Sequence, residues 1–291
     1  MKKKLLIENA KKTDIFLKKY LDKQAYSDLV PPMKYGVLSG GKKIRSSIVL
    51  GVGKLFNIGA IKLLNVCAAV ECIHSYSLIH DDLPCMDDDK IRRSKPATHI
   101  KYGESTAILA GNSLLTLAFE MVVDKDYKIE NKIKTKLVES LANCSGHIGI
   151  AGGQYLDLNF EKKKKIFADI LNMQIKKTGK LFNFCCYAPG VIAKKKKKEL
   201  KSLSKLGEEI GLLFQLADDF IDIDGSKKLA GKSIKKDQIK GKSTLVSLIG
   251  YEKAHTYARK LKKNILSKLS KHGKKADNLI NTVEFILERN F

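Results

Sequence analysis

The chain has 291 residues, 44% hydrophobic and 30% charged, a balance that excludes intrinsic disorder and is long enough to bury a real core. Its 55 Lys+Arg against 31 Asp+Glu leave a formal net charge of +24. The opening MKKKLLIENAKK has too short an apolar run for a signal peptide, and no stretch reads as nearing the ~20 apolar residues of a bilayer span, so the expectation is a cytoplasmic protein without stable membrane insertion.

In chain order, the first informative segment is SGGKKIRSS, a Gly-Gly turn running into a helix. Lys42 and Arg45 fall three apart on its first turn, where two cations and free backbone N–H groups suit an anion. Next, Leu63, Val66, Val70 and Ile73 recur at helical spacing, which predicts a helix that runs on to Asp81–Asp82. Pro84 disfavours helix at Leu83 and ends it. The stretch HDDLPCMDDDK then places five aspartates within nine residues, and Asp87 is the next acid able to swing back beside Asp81. His74, seven residues before Asp81, shares its helix face, and Arg92 and Arg93 follow the acids at once. Leu203, Leu206, Ile210, Leu213, Leu216 and Phe220 predict a second buried helix carrying FQLADDFID. On it Asp218 and Asp222 are four apart on one face, with Gln215 three before Asp218. Residues 225–243 read as a lysine- and glycine-rich loop. Strand alternation and hairpin turns are nearly absent, so the chain is predicted all-α, a single domain over residues 1–291.

Like charges one helical turn apart repel by about 0.2–0.5 kcal/mol, more when buried, so both acidic clusters call for a counter-ion. All-oxygen ligands without His or thiolate partners suit Mg²⁺, which keeps open positions for substrate phosphates. Among 55 basic residues only Arg45, Arg92, Arg93, Arg259 and Arg289 are arginines, and three of those five sit in or beside these motifs. Arginine grips phosphate bidentately where lysine is a point charge. The lysine runs lack interleaved aromatic residues, so the excess charge is read as solvated surface, with no nucleic-acid partner. The six cysteines show neither CxxC pairs nor zinc spacing and read as small buried hydrophobes.

MKYGVLSGGKKIRS, ECIHSYSLIHDDLPCMDDDKIRRSKPATH, GGQYLDL, KKTGKLF, FQLADDFIDIDG and GKST together resemble the trans-isoprenyl diphosphate synthases, the bacterial farnesyl branch most of all. The resemblance implies a large helical bundle of the isoprenoid synthase type with a central cavity, acting as a homodimer on isopentenyl and allylic diphosphates. It implies that Asp81, Asp82, Asp87, Asp218, Asp219 and Asp222 bind Mg²⁺, three ions per site. Lys42, Arg45, His74 and Arg93 match contacts to isopentenyl diphosphate. Arg92, Lys177 and Lys232 match contacts to the allylic diphosphate. Thr178 and Gln215 match residues near a developing cation, and Lys242 lies in the family's basic loop. Asp81, Lys177, Thr178, Gln215 and Asp218 are the expected catalytic set.

Tyr76 lies five residues before Asp81, about 7.5 Å along the helix at ~1.5 Å per residue. With Ser77 it is the expected chain-length position, an aromatic floor that resembles C15 synthases. Lys43, Ser46, Ser94, Asn112 and Lys235 depart from the family's usual Arg, Pro, Gly, Asp and Gly. A geranylgeranyl diphosphate synthase would differ only in the depth of the floor. A class I terpene cyclase would need Asn, Ser/Thr and Glu in place of DDFID, and a nucleic-acid-binding protein would leave both aspartate clusters unexplained.

Overall fold

The computed structural model describes residues 2–161, 163–224 and 244–288. The predicted loop 225–243, with Lys232, Lys235 and Lys242, lies outside the described residues. Among those described, the secondary structure is almost entirely helical. In chain order the helices are α1 (Lys2–Asp22), α2 (Val30–Leu38), α3 (Ile44–Leu55), α4 (Leu64–Asp81), α5 (Thr98–Tyr102) and α6 (Glu104–Val123). They continue as α7 (Asn131–Ser145), α8 (Ile150–Phe160), α9 (Phe167–Gln174), α10 (Lys180–Ile192) and α11 (Lys197–Asp224). Three more, α12 (Leu245–Ile249), α13 (Tyr251–Ser270) and α14 (Asp277–Glu288), close the bundle.

α4 is the centre. Its sequence is apolar nearly all round, and it is buried from Asn65 almost to its end, as a helix without a solvated face must be. It packs along α6 and against α3, while α10 packs along α11. The prediction ended this helix at Asp81–Asp82, and it ends there. A short π-helical turn, Ile175–Gly179, joins α9 to α10.

Three details correct the sequence reading. A two-residue hairpin does occur: β1 (Ile91–Arg92) pairs antiparallel with β2 (Lys95–Pro96). Its turn residues Arg93 and Ser94 take φ of 52° and 60°, the paired left-handed geometry of a type I′ turn, without the usual Asn-Gly signal. Second, α6 has the length and apolarity to cross a membrane by composition alone. One side of it is instead spent on the core, with Ala107, Ala110, Gly111, Leu114 and Ala118 buried. Third, five of the cysteines are buried as expected, but Cys85 is exposed because it falls on the turn that Pro84 forces outward.

Glycines let two helices approach closely enough to build the site. A Cβ on Gly207 would lie 2.3 Å from the Phe182 carbonyl oxygen and 2.6 Å from the Asn183 Cα. A Cβ on Gly211 would lie 2.7 Å from the Gly179 Cα. Those contacts are backbone, which cannot rotate away. Gly207→Ala is therefore expected to push α11 off α10 and destabilise the fold by about 1–3 kcal/mol, read as a lower denaturant midpoint at unchanged m.

Candidate active site

A cavity of about 350 Å³ opens where α4, α8, the π-helical turn and α11 converge. Its first wall is the end of α4 and the turn beyond it. Leu83 N donates to the His80 carbonyl at 3.1 Å, and the chain then folds back, with Asp87 N on Asp81 O at 2.8 Å and Asp89 N on Asp82 O at 3.1 Å. The backbone thus delivers Asp87 beside Asp81, as the DDxxxxD spacing predicts. Asp88 takes φ 47° to allow it, and Asp89 is turned inward and buried.

Arg92 offsets this crowding. Its Nε donates to Asp82 Oδ1 at 2.9 Å and its Nη2 to Asp89 Oδ2 at 3.0 Å, with a further bond from Nη2 to Asp82. Burial works against the charged guanidinium, but the hydrogen bond to Asp82 and the charges of Asp82, Asp81 and Asp87 hold it protonated. Asp82, itself buried, faces Arg92 and does not line the cavity. Asp81 does line it. Burial, opposed by Lys177 and assisted by Asp87 and Asp82, pushes its carboxyl up to about 7.

The facing wall carries a continuous polar chain. Thr178 Oγ1 donates to Gln215 Oε1 at 2.8 Å, and Gln215 Nε2 donates to Asp219 Oδ1 at 2.9 Å. Gln174 Nε2 donates to Asp219 Oδ2 at 3.2 Å. Lys177 Nζ lies 2.7 Å from Asp157 Oδ2. A Cβ on Gly153 of α8 would stand 2.1 Å from the Lys177 backbone nitrogen, so only glycine lets α8 seat the π-helical turn. Asp218 and Asp219 line the cavity; Asp222, one turn further along α11, is buried and does not.

The third side is cationic. The Arg45 guanidinium lies 4.8 Å from the Phe182 ring centroid and 5.4 Å from that of Phe214, and among the described residues its buried Nε has no hydrogen-bond partner. His74 is held well below its usual range, first by burial and then by Arg45, Arg93, Lys43 and Arg92, so it is neutral. Arg93 Nη1 donates to the Gly40 carbonyl and to Ser39 Oγ. Gly41, at φ 103°, makes room for it, since a Cβ there would lie 2.9 Å from the Arg93 Cζ.

The cavity therefore brings together Arg45, His74, Ser77, Asp81, Asp87, Arg92, Arg93, Lys177, Thr178, Gln215, Asp218 and Asp219. Lys42 is elsewhere: it is exposed, with Nζ 5.0 Å from the Phe285 ring centroid on a separate groove. Tyr76 is buried behind the wall, its hydroxyl donating to the Ser145 carbonyl at 3.2 Å. Asp89, Gln154, Asp157 and Gln174 line the cavity and were not singled out from the sequence. The i, i+3 spacing of Gln154 and Asp157 inside GGQYLDL was the available signal. Among the described residues, no three carboxylate, His or Cys side chains form a group able to hold a metal unaided.

Two of the departures belong to one buried network. Lys43, at φ 44°, turns inward, and its Nζ donates to the Val37 carbonyl at 2.6 Å, 3.4 Å from Asp14 and 3.8 Å from Glu71. Glu71 also accepts from Ser46 N at 3.2 Å and Ser46 Oγ at 2.8 Å, two bonds that proline at position 46 would forfeit.

Residues 27–283 match the polyprenyl synthetase family. The chain is 39% identical over 267 residues to the farnesyl diphosphate synthase of Escherichia coli, covering 90% of this chain and 89% of that one. Its fold is similar to an FPP/GFPP synthase from Zymomonas mobilis at a TM-score of 0.86 and 34% identity, over 97% and 98% of the two chains. A geranyltransferase from Helicobacter pylori, complexed with magnesium and isoprenyl diphosphate, matches at a TM-score of 0.83 and 29% identity, over 99% and 96%.

Glu71→Ala would remove the buried carboxylate that accepts from Ser46 and lies 3.8 Å from the buried Lys43 ammonium. Removing one partner of a buried pair costs about 3–5 kcal/mol, and urea unfolding should show a loss of that size. Glu71→Gln, which keeps an acceptor for Ser46, should lose less.

Proposed function

The chain belongs to the polyprenyl synthetase family, and from that premise we propose that it condenses isopentenyl diphosphate head to tail with dimethylallyl diphosphate and then geranyl diphosphate, giving (2E,6E)-farnesyl diphosphate. The observation that carries this reading is one cavity with carboxylates on two facing walls and three arginines and a lysine around them. Such a site is built for a metal-bridged diphosphate.

The donor set fits Mg²⁺. Every candidate ligand is a carboxylate, and Asp81 is raised to about 7 by burial with like charges adding to it, a condition a divalent cation relieves. Asp81, Asp87, Asp218 and Asp219 would hold the metal, with Asp82 and Asp222 as the remaining members of a three-ion set. Once bound, Mg²⁺ supplies Lewis-acid stabilisation of the charge that develops on the departing diphosphate.

The chain's own residues supply the rest. Lys177 and Arg92 orient the allylic diphosphate and share its charge, and Asp157 fixes the direction of Lys177. Arg45, Arg93 and neutral His74 receive the second diphosphate. Arg45 brings a desolvated guanidinium, and His74 can donate one hydrogen bond without adding charge. Thr178 and Gln215 set oxygen dipoles beside the position where positive charge develops on carbon. Leu78, Ile150, Met173 and Phe214 give the cavity apolar surface that keeps water from that carbon. The chain works as one catalytic domain and as a cytoplasmic homodimer, for which the exposed apolar side chains Ile108, Leu109 and Val123 of α6 provide a face.

Chain length is assigned to Tyr76. It lies next to Ser77, which lines the cavity, and its hydroxyl ties α4 to the end of α7. The alternative product is the C20 diphosphate.

Purified protein with Mg²⁺, dimethylallyl diphosphate and labelled isopentenyl diphosphate should yield mainly a C15 alcohol after phosphatase treatment. No condensation would overturn the reading, and a dominant C20 product would retain the chemistry and discard the floor. Tyr76→Ala should move product toward C20, whereas Tyr76→Phe, keeping the ring, should not. Lys177→Ala should lower kcat by about 10²-fold or more with the fold intact, checked by steady-state kinetics alongside circular dichroism.

A further inference from the structure

The outward face of α1 has no part in the site. Along it Lys3, Ile7, Lys11, Ile15 and Lys18 recur at three- or four-residue spacing and so form one stripe. The stripe is about 22 Å long at ~1.5 Å per residue. Ile7 and Ile15 are 66% and 58% exposed, while Leu6, Thr13, Leu17 and Leu21 on the opposite face are buried and hold the helix to the bundle. The stripe forms one wall of an open groove of about 870 Å³, lined on its other sides by Leu38, Gly41, Lys42, Phe285 and Glu288.

The charge on α1 is lopsided. It carries seven lysines against Glu8, Asp14 and Asp22. Asp14 is directed at buried Lys43, and Asp22 is taken by Lys34 at 2.6 Å. Among the described residues Lys3, Lys11 and Lys18 make no salt bridge of their own. A soluble amphiphile has one head and one tail and would satisfy one end of such a stripe. Cations alternating with exposed branched aliphatic side chains instead suit a surface that offers many anionic heads with apolar depth between them.

We propose that α1 docks the protein reversibly on an anionic lipid bilayer, with Lys3, Lys11 and Lys18 among the headgroups and Ile7 and Ile15 reaching the acyl boundary. The helix remains folded on the bundle and nothing spans the membrane. The inference does not depend on the reaction proposed above, because binding is measured without substrate.

The test is co-sedimentation of the full chain with sucrose-loaded vesicles, either of phosphatidylcholine alone or of phosphatidylcholine mixed with phosphatidylglycerol. Binding should appear only with the anionic vesicles and weaken with salt. The triple variant Lys3→Gln, Lys11→Gln, Lys18→Gln should lose roughly fivefold per lysine, roughly a hundredfold in all. Ile7→Ser with Ile15→Ser should weaken binding while leaving its salt dependence. All five positions are exposed and outside the site, so both variants should keep the wild-type thermal transition and turnover. The control Lys197→Gln, Lys198→Gln, Lys201→Gln changes the same charge on exposed positions of α11 and should bind as wild type. Equal loss in that control would assign binding to the overall +24 and overturn the proposal. Absence of binding to anionic vesicles would overturn it as well. So would saturable binding of soluble farnesyl diphosphate in EDTA, abolished by Ile7→Ser with Ile15→Ser, if vesicles are not bound.

Discussion

Packing like charges into a dry space is the constraint on which this structure turns. Asp81, Asp82, Asp87 and Asp89 are drawn together by backbone hydrogen bonds that close the turn after α4, a force local enough to override side-chain repulsion. The repulsion is then shared out. Arg92 forks between Asp82 and Asp89; Asp82 is turned away from the cavity, while Asp81, Asp87 and Asp89 line it. The same arrangement keeps Arg92 on the lining of the cavity. The proposed metal-bridged diphosphate calls for both acids and cations, and the turn and hairpin supply them within one short segment.

Close helix contact does the rest. Gly207 and Gly211 let α11 lie against α10 and the π-helical turn, and Gly153 lets α8 do the same. The extra residue in that turn redirects Lys177 and Thr178 toward the cavity from a chain that would otherwise continue as an ordinary helix. Thr178, Gln215, Asp219 and Gln174 then form one hydrogen-bonded line, so their positions are mutually determined. A site of this kind is held by rigid elements, which is what orientation of two diphosphates demands.

Arginine and lysine divide the work. Arg45, Arg92 and Arg93 are buried or half-buried, and each is fixed by aromatic rings, carboxylates or a backbone carbonyl. Lysines dominate the surface, where a compact hydrated charge costs little to display. The exceptions are instructive. Lys177 lines the cavity because Asp157 receives it. Lys43 is buried because Val37, Asp14 and Glu71 surround it, and Ser46 gives Glu71 the hydrogen bonds that make its own burial tolerable.

Much of this was legible in the sequence, because it rests on local rules. Apolar periodicity determined the helices and their burial, Pro84 determined where α4 stops, and the spacing of Asp81 and Asp87 determined that they meet. The acids and arginines of the site were readable as residue types in an unusual pattern. What the sequence left undecided depends on contacts between distant segments. Whether Asp82 faces the cavity or Arg92 is settled by a hairpin whose left-handed Arg93–Ser94 turn has no strong local signature. Whether Lys42 or Lys43 turns inward is settled by Glu71, 28 residues away. Tyr76 is placed behind the wall by a bond to Ser145, and Asp157 enters the site only because Gly153 lets α8 touch the π-helical turn. Periodicity follows from the geometry of one helix, but the direction of a polar side chain follows from which partner can satisfy it, and only the packed chain decides that.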